Sequence, residues 1–150
     1  MMRIGYAAGA FDLFHVGHLN ILQMAKSRCD YLIAGVVSDE LCLRTKGVQP
    51  IVPLRERLEI VGSLACVDEA IAETNVDRVK TWQEIRFDVF FKGDDWRGTE
   101  KGEALERRFA EIDVDVEYFP YTVHTSSTKL RAALQALSAR PSQEIRVGRG

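Results

Sequence analysis

Residues 4–26 read IGYAAGAFDLFHVGHLNILQMAK, and this stretch decides which fold we expect. The apolar run at Ile4–Ala8 predicts a buried first strand, and the spacing of apolar residues after His18 predicts a helix. Two histidines, His15 and His18, therefore flank Gly17 where a strand passes into a helix. That junction is a phosphate site in an α/β protein, because free backbone N–H groups and the positive end of the helix dipole meet there.

The rest of the chain repeats the alternation of strand and helix. Near-continuous apolar runs predict further strands at 31–37, 67–72, 89–92 and 116–119. Helical periodicity predicts helices at 18–29, 54–65, 76–85, 103–112 and 126–137. We expect a single α/β domain over residues 1–137, with a parallel five-stranded sheet and helices on both faces. Residues 138–150 lose the periodicity and predict a flexible C-terminal tail.

Composition excludes several classes of protein. A chain of 150 residues with a net charge of −2 has the size of one domain and no bulk basic surface for nucleic acid. It has no apolar run that spans a bilayer and no signal-peptide pattern at its start. Cys29, Cys42 and Cys66 form neither a disulfide framework nor a Cys-x-x-Cys pair. We therefore expect a cytoplasmic protein with no nucleic-acid partner and no membrane span.

His15 and His18 are the candidate catalytic residues. Attack at the α-phosphorus of a nucleoside triphosphate builds up negative charge, which imidazole N–H groups and helix amides stabilise. Gly17 lets a phosphate approach the backbone closely. The alternatives are a metal pair or two core histidines. Zinc pairs on a helix favour an i, i+4 spacing, and the chain offers only His124 besides these two and no thiolate cluster.

Two further polar segments follow predicted strands, one between the second strand and the next helix and one at the end of the fourth strand. Lys46 follows the second strand, where a mobile lysine closes over a triphosphate; a solvated surface lysine is the alternative. Gly93-Asp94-Asp95-Trp96 ends the fourth strand with carboxylates and an aromatic face. Trp96 can pack on a base, on a choline-like head or on the loop itself.

A third segment lies before the last helix. Its hydroxyl groups at a helix N-terminus predict a second phosphate cradle, with a plain helix cap as the alternative. These residues are Thr122, Thr125, Ser126, Ser127 and Thr128.

Residues 9–18, GAFDLFHVGH, resemble the active-site motif of the nucleotidyltransferase superfamily, and within it the small bacterial glycerol-3-phosphate cytidylyltransferases. The resemblance covers about residues 3–137. It implies a Rossmann-like homodimer that joins CTP to a small phosphorylated alcohol and releases pyrophosphate. It also implies Mg²⁺, carried by the triphosphate and not by protein side chains. Two alternatives stay open: an ATP-dependent adenylyltransferase acting on a sugar phosphate or flavin nucleotide, and a nucleotide-binding module without catalysis.

The resemblance also implies roles for individual residues. Lys46 is catalytic beside the two histidines, and Arg57 reaches a phosphate, with Arg55 as its competitor and a surface ion pair as the alternative. Asp12 orients the loop or is an ordinary turn aspartate. The implied nucleotide-binding residues are Gly9, Ala10, Phe11, Gly17, Arg57, Lys92, Asp94, Thr122, Ser126, Ser127 and Thr128. The implied acceptor-binding residues are Asp12, Trp96, Tyr121 and His124.

Among the departures from the family pattern, those at Ala10, Tyr121 and His124 concern groups near the phosphates. The family motif before the last helix is Arg-Thr-x-Gly-Ile-Ser-Thr-Thr, and here Tyr121 replaces the arginine and His124 the glycine. A neutral phenol supplies neither the charge nor the bidentate fork of arginine. His124 or Arg131 is available to compensate, or the acceptor differs from glycerol 3-phosphate. Ala10 stands where the family has threonine and removes one hydroxyl near the triphosphate.

Overall fold

The computed structural model describes residues 1–121 and 126–139. Within these ranges the strands and helices alternate along the chain. The strands are β1 Ile4–Gly9, β2 Tyr31–Val37, β3 Glu69–Glu73, β4 Val89–Gly93 and β5 Asp115–Phe119. The helices are α1 Val16–Ser27, α2 Asp39–Lys46, α3 Leu54–Gly62, α4 Arg78–Ile85, α5 Glu100–Glu111 and α6 Ser127–Ala139, with a short 3-10 helix at Asp94–Trp96.

The five strands form one sheet in the order β3-β2-β1-β4-β5, and every pairing is parallel. The chain builds outward from β1 on one side and from β4 on the other, so the strand order reverses between β1 and β4. Loops that leave these two strands diverge to opposite faces of the sheet and open a crevice at their carboxyl ends. The predicted α/β domain with a parallel five-stranded sheet is confirmed.

Two apolar cores cover the two faces of the sheet. One contains Phe91 of β4 and packs side chains of α1 and α3. The other contains Phe90 of β4 and packs side chains of α4 and α5. Successive residues of a strand point to opposite faces, so the neighbouring phenylalanines divide between the two cores. The helices on both faces explain why the central strands β1, β2 and β4 lack polar alternation.

The sequence missed α2 altogether. Residues 39–46 are mostly polar, so periodicity alone indicated a loop. Ser38 begins the helix, because its hydroxyl oxygen accepts the N–H of Leu41 at 3.2 Å. Gly47 ends it in the left-handed conformation, with φ of 69°. Lys46, predicted to lie in a mobile polar segment, is therefore the last residue of a helix.

Other element boundaries differ by two or three residues. α1 begins at Val16, two residues before the predicted start, because the side chains of His15 and His18 cap the helix there. α5 begins at Glu100, since the Thr99 hydroxyl accepts the N–H of Gly102 at 3.1 Å. α6 continues to Ala139, so residues 138 and 139 are helical and not part of a tail; residues 140–150 lie outside the described part of the chain. No helix in the described ranges is long and apolar enough to cross a membrane.

Candidate active site

The two predicted histidines cap their own helix. His15 precedes α1, and its Nδ1 accepts the backbone N–H of Gly17 at 3.0 Å. The Nδ1 of His18 accepts the backbone N–H of His15 at 3.3 Å, which closes a reciprocal capping box. The ring centroids lie 4.1 Å apart. The spacing of three residues is therefore the spacing of a helix cap, and it brings both imidazoles to one helix N-terminus.

This cap determines which ring nitrogens carry protons. Because both Nδ1 atoms accept hydrogen bonds, both neutral rings carry their proton on Nε2. Burial lowers the pKa of His18 to about 4, helped by His15 and Lys46 and opposed by Asp12. Burial also lowers the pKa of His15. Both rings are thus neutral Nε2–H donors near pH 7, which is the form that donates a hydrogen bond to a phosphate oxygen.

The loop before the histidines is conformationally strained. Phe11 and Leu13 have φ of 53° and 51°, in the left-handed region that side chains rarely adopt. The ring of Phe11 is buried and meets the His18 ring edge-on at 5.7 Å between centroids. It also packs beneath Gly9, where a Cβ would lie 3.2 Å from the ring. Phe11 therefore packs within the loop, between Gly9 and the His18 ring.

Asp12 holds this strained loop in place. Its side chain is 1% exposed, and the carboxylate accepts the N–H groups of Ile51 and Val52, each at 2.9 Å. Arg131 of α6 donates to the same carboxylate at 2.8 Å. Burial alone would raise the pKa of Asp12, but these donors together hold it below its usual value. Its loop-orienting role is supported, whereas the predicted contact with an acceptor is wrong because the carboxylate is enclosed and fully bonded.

Arg57 also points inward. It is 1% exposed, its Nε donates to the carbonyl of Val52 at 2.8 Å, and its Nη1 donates to the carbonyls of Ala10 and Val37, each at 2.7 Å. Its Nη2 forms an ion pair with Asp39 at 2.5 Å. With its donors committed to the protein, Arg57 supports the loop from behind, so its predicted role in phosphate binding is corrected. The exposed Arg55 lies two positions before it on α3.

The N-terminus of α6 docks onto the same loop. The Ser127 hydroxyl donates to the carbonyl of Asp12 at 2.6 Å, and its oxygen lies 3.4 Å from Nε2 of His18. Ser126 caps the helix by accepting the N–H of Lys129 at 3.1 Å. Thr128 is exposed beside them. The structure thus brings the two predicted phosphate cradles together, while Thr122 and His124 lie outside the described residues.

The end of β4 forms the other side of the crevice. Nζ of Lys92 lies 3.9 Å from the centre of the Trp96 ring, a cation–π contact. The Tyr121 hydroxyl lies over Gly93 and donates to Asp95 at 3.3 Å. Burial raises the pKa of Tyr121 to about 12, and Asp95 contributes to the rise. Trp96 therefore packs on a lysine and within its own loop, which is one of the arrangements its position predicted.

Two charged residues complete the crevice. Lys46 is exposed at the end of α2 and contributes to lowering the pKa of both His18 and Lys92. Its positive charge therefore acts on the histidine side and on the β4 side of the crevice. Asp94 is half-buried at the start of the 3-10 helix. Sequence reasoning overlooked Arg78, the first residue of α4, whose charge also lowers the pKa of Lys92. Its place directly after the capping residue Asp77 is the pattern that could have identified it.

Comparisons with known proteins show which family this chain belongs to. The family model described as cytidylyltransferase-like matches residues 6–133. The glycerol-3-phosphate cytidylyltransferase of Bacillus subtilis (strain 168) is 34% identical over 132 residues, which are 86% of this chain and 95% of that protein. The ethanolamine-phosphate cytidylyltransferase of Arabidopsis thaliana is 39% identical over 95 residues, or 60% of this chain, and the match spans only 22% of that longer protein.

One solved structure is similar to this chain in both fold and sequence. The lipopolysaccharide core biosynthesis protein from Thermoplasma volcanium GSS1 superposes with a TM-score of 0.69 and 28% sequence identity. The superposition covers 83% of this chain and 100% of that one.

Proposed function

Because this chain belongs to the cytidylyltransferase-like family, we propose that it transfers CMP from CTP to a small phosphorylated alcohol resembling glycerol 3-phosphate. Pyrophosphate is the second product. The observation that carries the proposal is the reciprocal cap of His15 and His18, which presents two neutral Nε2–H donors at a helix N-terminus. The names of the Bacillus and Arabidopsis relatives supply the substrate class.

The chemistry needs positioning and charge stabilisation more than it needs proton transfer. A phosphate oxygen of the acceptor attacks the α-phosphorus, a new P–O bond forms, and the bond to the β-phosphate breaks as pyrophosphate leaves with the electron pair. The attacking oxygen is already ionised, so no general base is required. Neutral His15 and His18 donate hydrogen bonds to oxygens that become more negative in the transition state.

The N-terminus of α6 holds the leaving group. Ser127 lies beside His18, Thr128 is exposed one residue further along α6, and both supply hydroxyl groups to the β- and γ-phosphates. Nε of Arg131 is buried and makes no hydrogen bond within the described residues. That N–H group is a donor for a phosphate oxygen, and it substitutes only in part for the arginine that Tyr121 replaces. Lys46 supplies a further positive charge from the end of α2.

Mg²⁺ enters as part of the CTP complex. The described residues bring together no group of three or more His, Cys, Asp or Glu side chains that would bind a metal ion. The loop carboxylate of Asp12 is already bonded to backbone and arginine donors. We propose that the oxygen ligands that Mg²⁺ prefers come chiefly from the triphosphate.

Pyrophosphate release by the purified protein tests the function. CTP, ATP, UTP and GTP are each combined with Mg²⁺ and with glycerol 3-phosphate, ethanolamine phosphate and a set of sugar phosphates and flavin mononucleotide. We expect release with CTP and one phosphorylated alcohol. Preference for ATP would instead establish the adenylyltransferase alternative, and triphosphate binding without release would establish a non-catalytic module. His18→Ala is the control and should lower turnover by about 10²–10⁴-fold.

The assembly and compartment are proposals of the same kind. Leu134 and Leu137 are 43% and 59% exposed on α6, which leaves an apolar surface available for the homodimer. Light scattering of the purified protein measures its mass.

The three cysteines are free, and burial raises the pKa of each thiol, which suits a reducing cytoplasm. Fractionation of cells that express the protein tests the location.

A further inference from the structure

The two faces of the sheet divide the crevice into two halves. α1 packs on the face that contains Phe91, so the His15–His18 pair and the adjoining N-terminus of α6 belong to that half. Lys92 follows Phe91 on β4, so its side chain belongs to the opposite face, with Phe90 and helices α4 and α5. Its partner across the sheet, Tyr118, also faces α5, since its hydroxyl donates to the carbonyl of Gly102.

Lys92 is a cation with spare hydrogen-bonding capacity. Its side chain is half-buried, and within the described residues its ammonium group makes no hydrogen bond or ion pair. Its contact is the face of Trp96, which attracts the charge but accepts no conventional hydrogen bond. Burial lowers the pKa of Lys92, and Lys46 and Arg78 lower it further while Asp95 opposes them. Among the described residues, the three ammonium N–H groups of Lys92 therefore have no acceptor, and they lie in a partly desolvated position.

Arg78 lies in the same half of the crevice, and the buried carboxylate of Glu73 holds its guanidinium in place. Its guanidinium lies 3.4 Å from the carboxylate of Glu73, a residue that is 1% exposed. That carboxylate also accepts the hydroxyl of Tyr6 at 2.9 Å and the hydroxyl of Thr81 at 2.8 Å. A buried and fully bonded anion thus fixes the base of the arginine, so that the cation is pre-positioned at the rim of the crevice.

We propose that Lys92 and Arg78 form the binding site for the phosphate of the acceptor, separate from the histidine and α6 site that binds the triphosphate. A phosphate monoester carries between about −1.5 and −2 charges near pH 7, and its oxygens suit ammonium and guanidinium donors. Attack by this anion on a triphosphate brings two negative groups together. Positive charge on the acceptor's side of the crevice offsets that repulsion.

The geometry of in-line displacement indicates which half of the crevice binds the acceptor and which binds the leaving group. The attacking and leaving oxygens lie on opposite sides of the α-phosphorus. If pyrophosphate leaves at His18 and Ser127, the acceptor must approach from the other half of the crevice, where Lys92 lies. This inference rests on the proposed function and reassigns Lys92, which the sequence placed among the nucleotide-binding residues. It also predicts selection for phosphorylated acceptors over the corresponding free alcohols.

Steady-state kinetics of Lys92→Met test the assignment. Lys101→Met is the matched control, because Lys101 also approaches the Trp96 ring, with Nζ 5.8 Å from its centre, but is exposed on α5. We expect Lys92→Met to raise KM for the phosphorylated acceptor by about ten- to a hundredfold and to change KM for CTP by less than about twofold. Lys92→Arg should restore part of the loss, and Lys101→Met should change neither constant. A rise in KM for CTP alone would overturn the assignment.

Direct binding separates this inference from the proposed function. Calorimetry with glycerol 3-phosphate and with ethanolamine phosphate uses the protein saturated with Mg²⁺ and α,β-methylene-CTP. We expect at least one of the two to bind the wild type and the Lys101→Met variant, and to bind Lys92→Met at least about tenfold more weakly. Equal binding by all three proteins, or none by the wild type, overturns the subsite. Turnover without any effect of Lys92→Met refutes the inference alone, whereas absence of turnover with every acceptor refutes the function.

Discussion

The protonation state of His18 makes the stability of this protein depend on pH in a way that one substitution should remove. The pKa of this histidine falls from its ordinary value of 6.5 to about 4 in the folded protein, mainly because burial disfavours the imidazolium. Above pH 6.5 the ring is neutral in both the folded and the unfolded chain and contributes no pH dependence. Between pH 6.5 and 4 the unfolded chain binds a proton that the native protein refuses, so stability decreases as the pH falls.

The size of the effect follows from the two pKa values. A change from 6.5 to about 4 corresponds to about 3 kcal/mol of unfolding free energy, lost by the time the pH reaches 4. His18→Gln is the informative variant, because glutamine at this position of a capping box still accepts the N–H of His15 but does not titrate. The cap is kept and the protonation is removed.

Urea denaturation of the wild type and of His18→Gln, followed by tryptophan fluorescence between pH 7.5 and 4, measures the difference. We expect the variant to gain about 3 kcal/mol relative to the wild type over this range. Other titrating groups, including Asp12, act in both proteins and largely cancel. Parallel stability curves would refute the reasoning, and an imidazole titration by NMR with a midpoint near 6.5 would identify the error as an exposed ring.

Three further substitutions test how the site is supported. Arg57→Met should lower the free energy of unfolding in urea by about 3–5 kcal/mol because it leaves buried carbonyl groups unpaired, whereas the exposed Arg55→Met should change it by less than about 0.5 kcal/mol. Gly35→Ala should cost at least about 2 kcal/mol in the same assay, since its Cβ would lie 1.9 Å from a buried tyrosine hydroxyl; the control Gly62→Ala, with its nearest neighbour at 3.5 Å, should not. Tyr121→Arg should raise kcat/KM for CTP about tenfold by restoring a phosphate-binding charge, and a collapse of activity would instead place Tyr121 in an acceptor pocket.

Local patterns were sufficient to predict most of the fold. Continuous apolar runs such as Tyr31–Val37 correspond to the observed strand residue for residue, because a strand covered on both faces leaves no polar positions. α2 was not predicted because its sequence has no apolar stripe; residues at its two ends, Ser38 and Gly47, define the helix. Where side-chain caps decide the boundary, as at Thr99, the hydrophobic period identifies the helix but not its first residue.

The sequence by itself determined the class of fold, the two histidines and the helix N-terminus at which we propose the phosphate site, because these depend on residues within a few positions of one another. The His15–Gly17–His18 cap is such a local feature, and its chemistry follows from spacing. Only the tertiary structure decided which polar side chains face the crevice. Asp12 and Arg57 are charged and lie at the loop, yet both are buried. Asp12 bonds to residues that are 39 or more positions away in the sequence. Arg57 bonds to Val37 and Asp39, which are 20 and 18 positions away. Lys92 and Arg78 lie on the same face of the sheet because β4 and α4 pack there, and no sequence period records on which side of a sheet a loop will close.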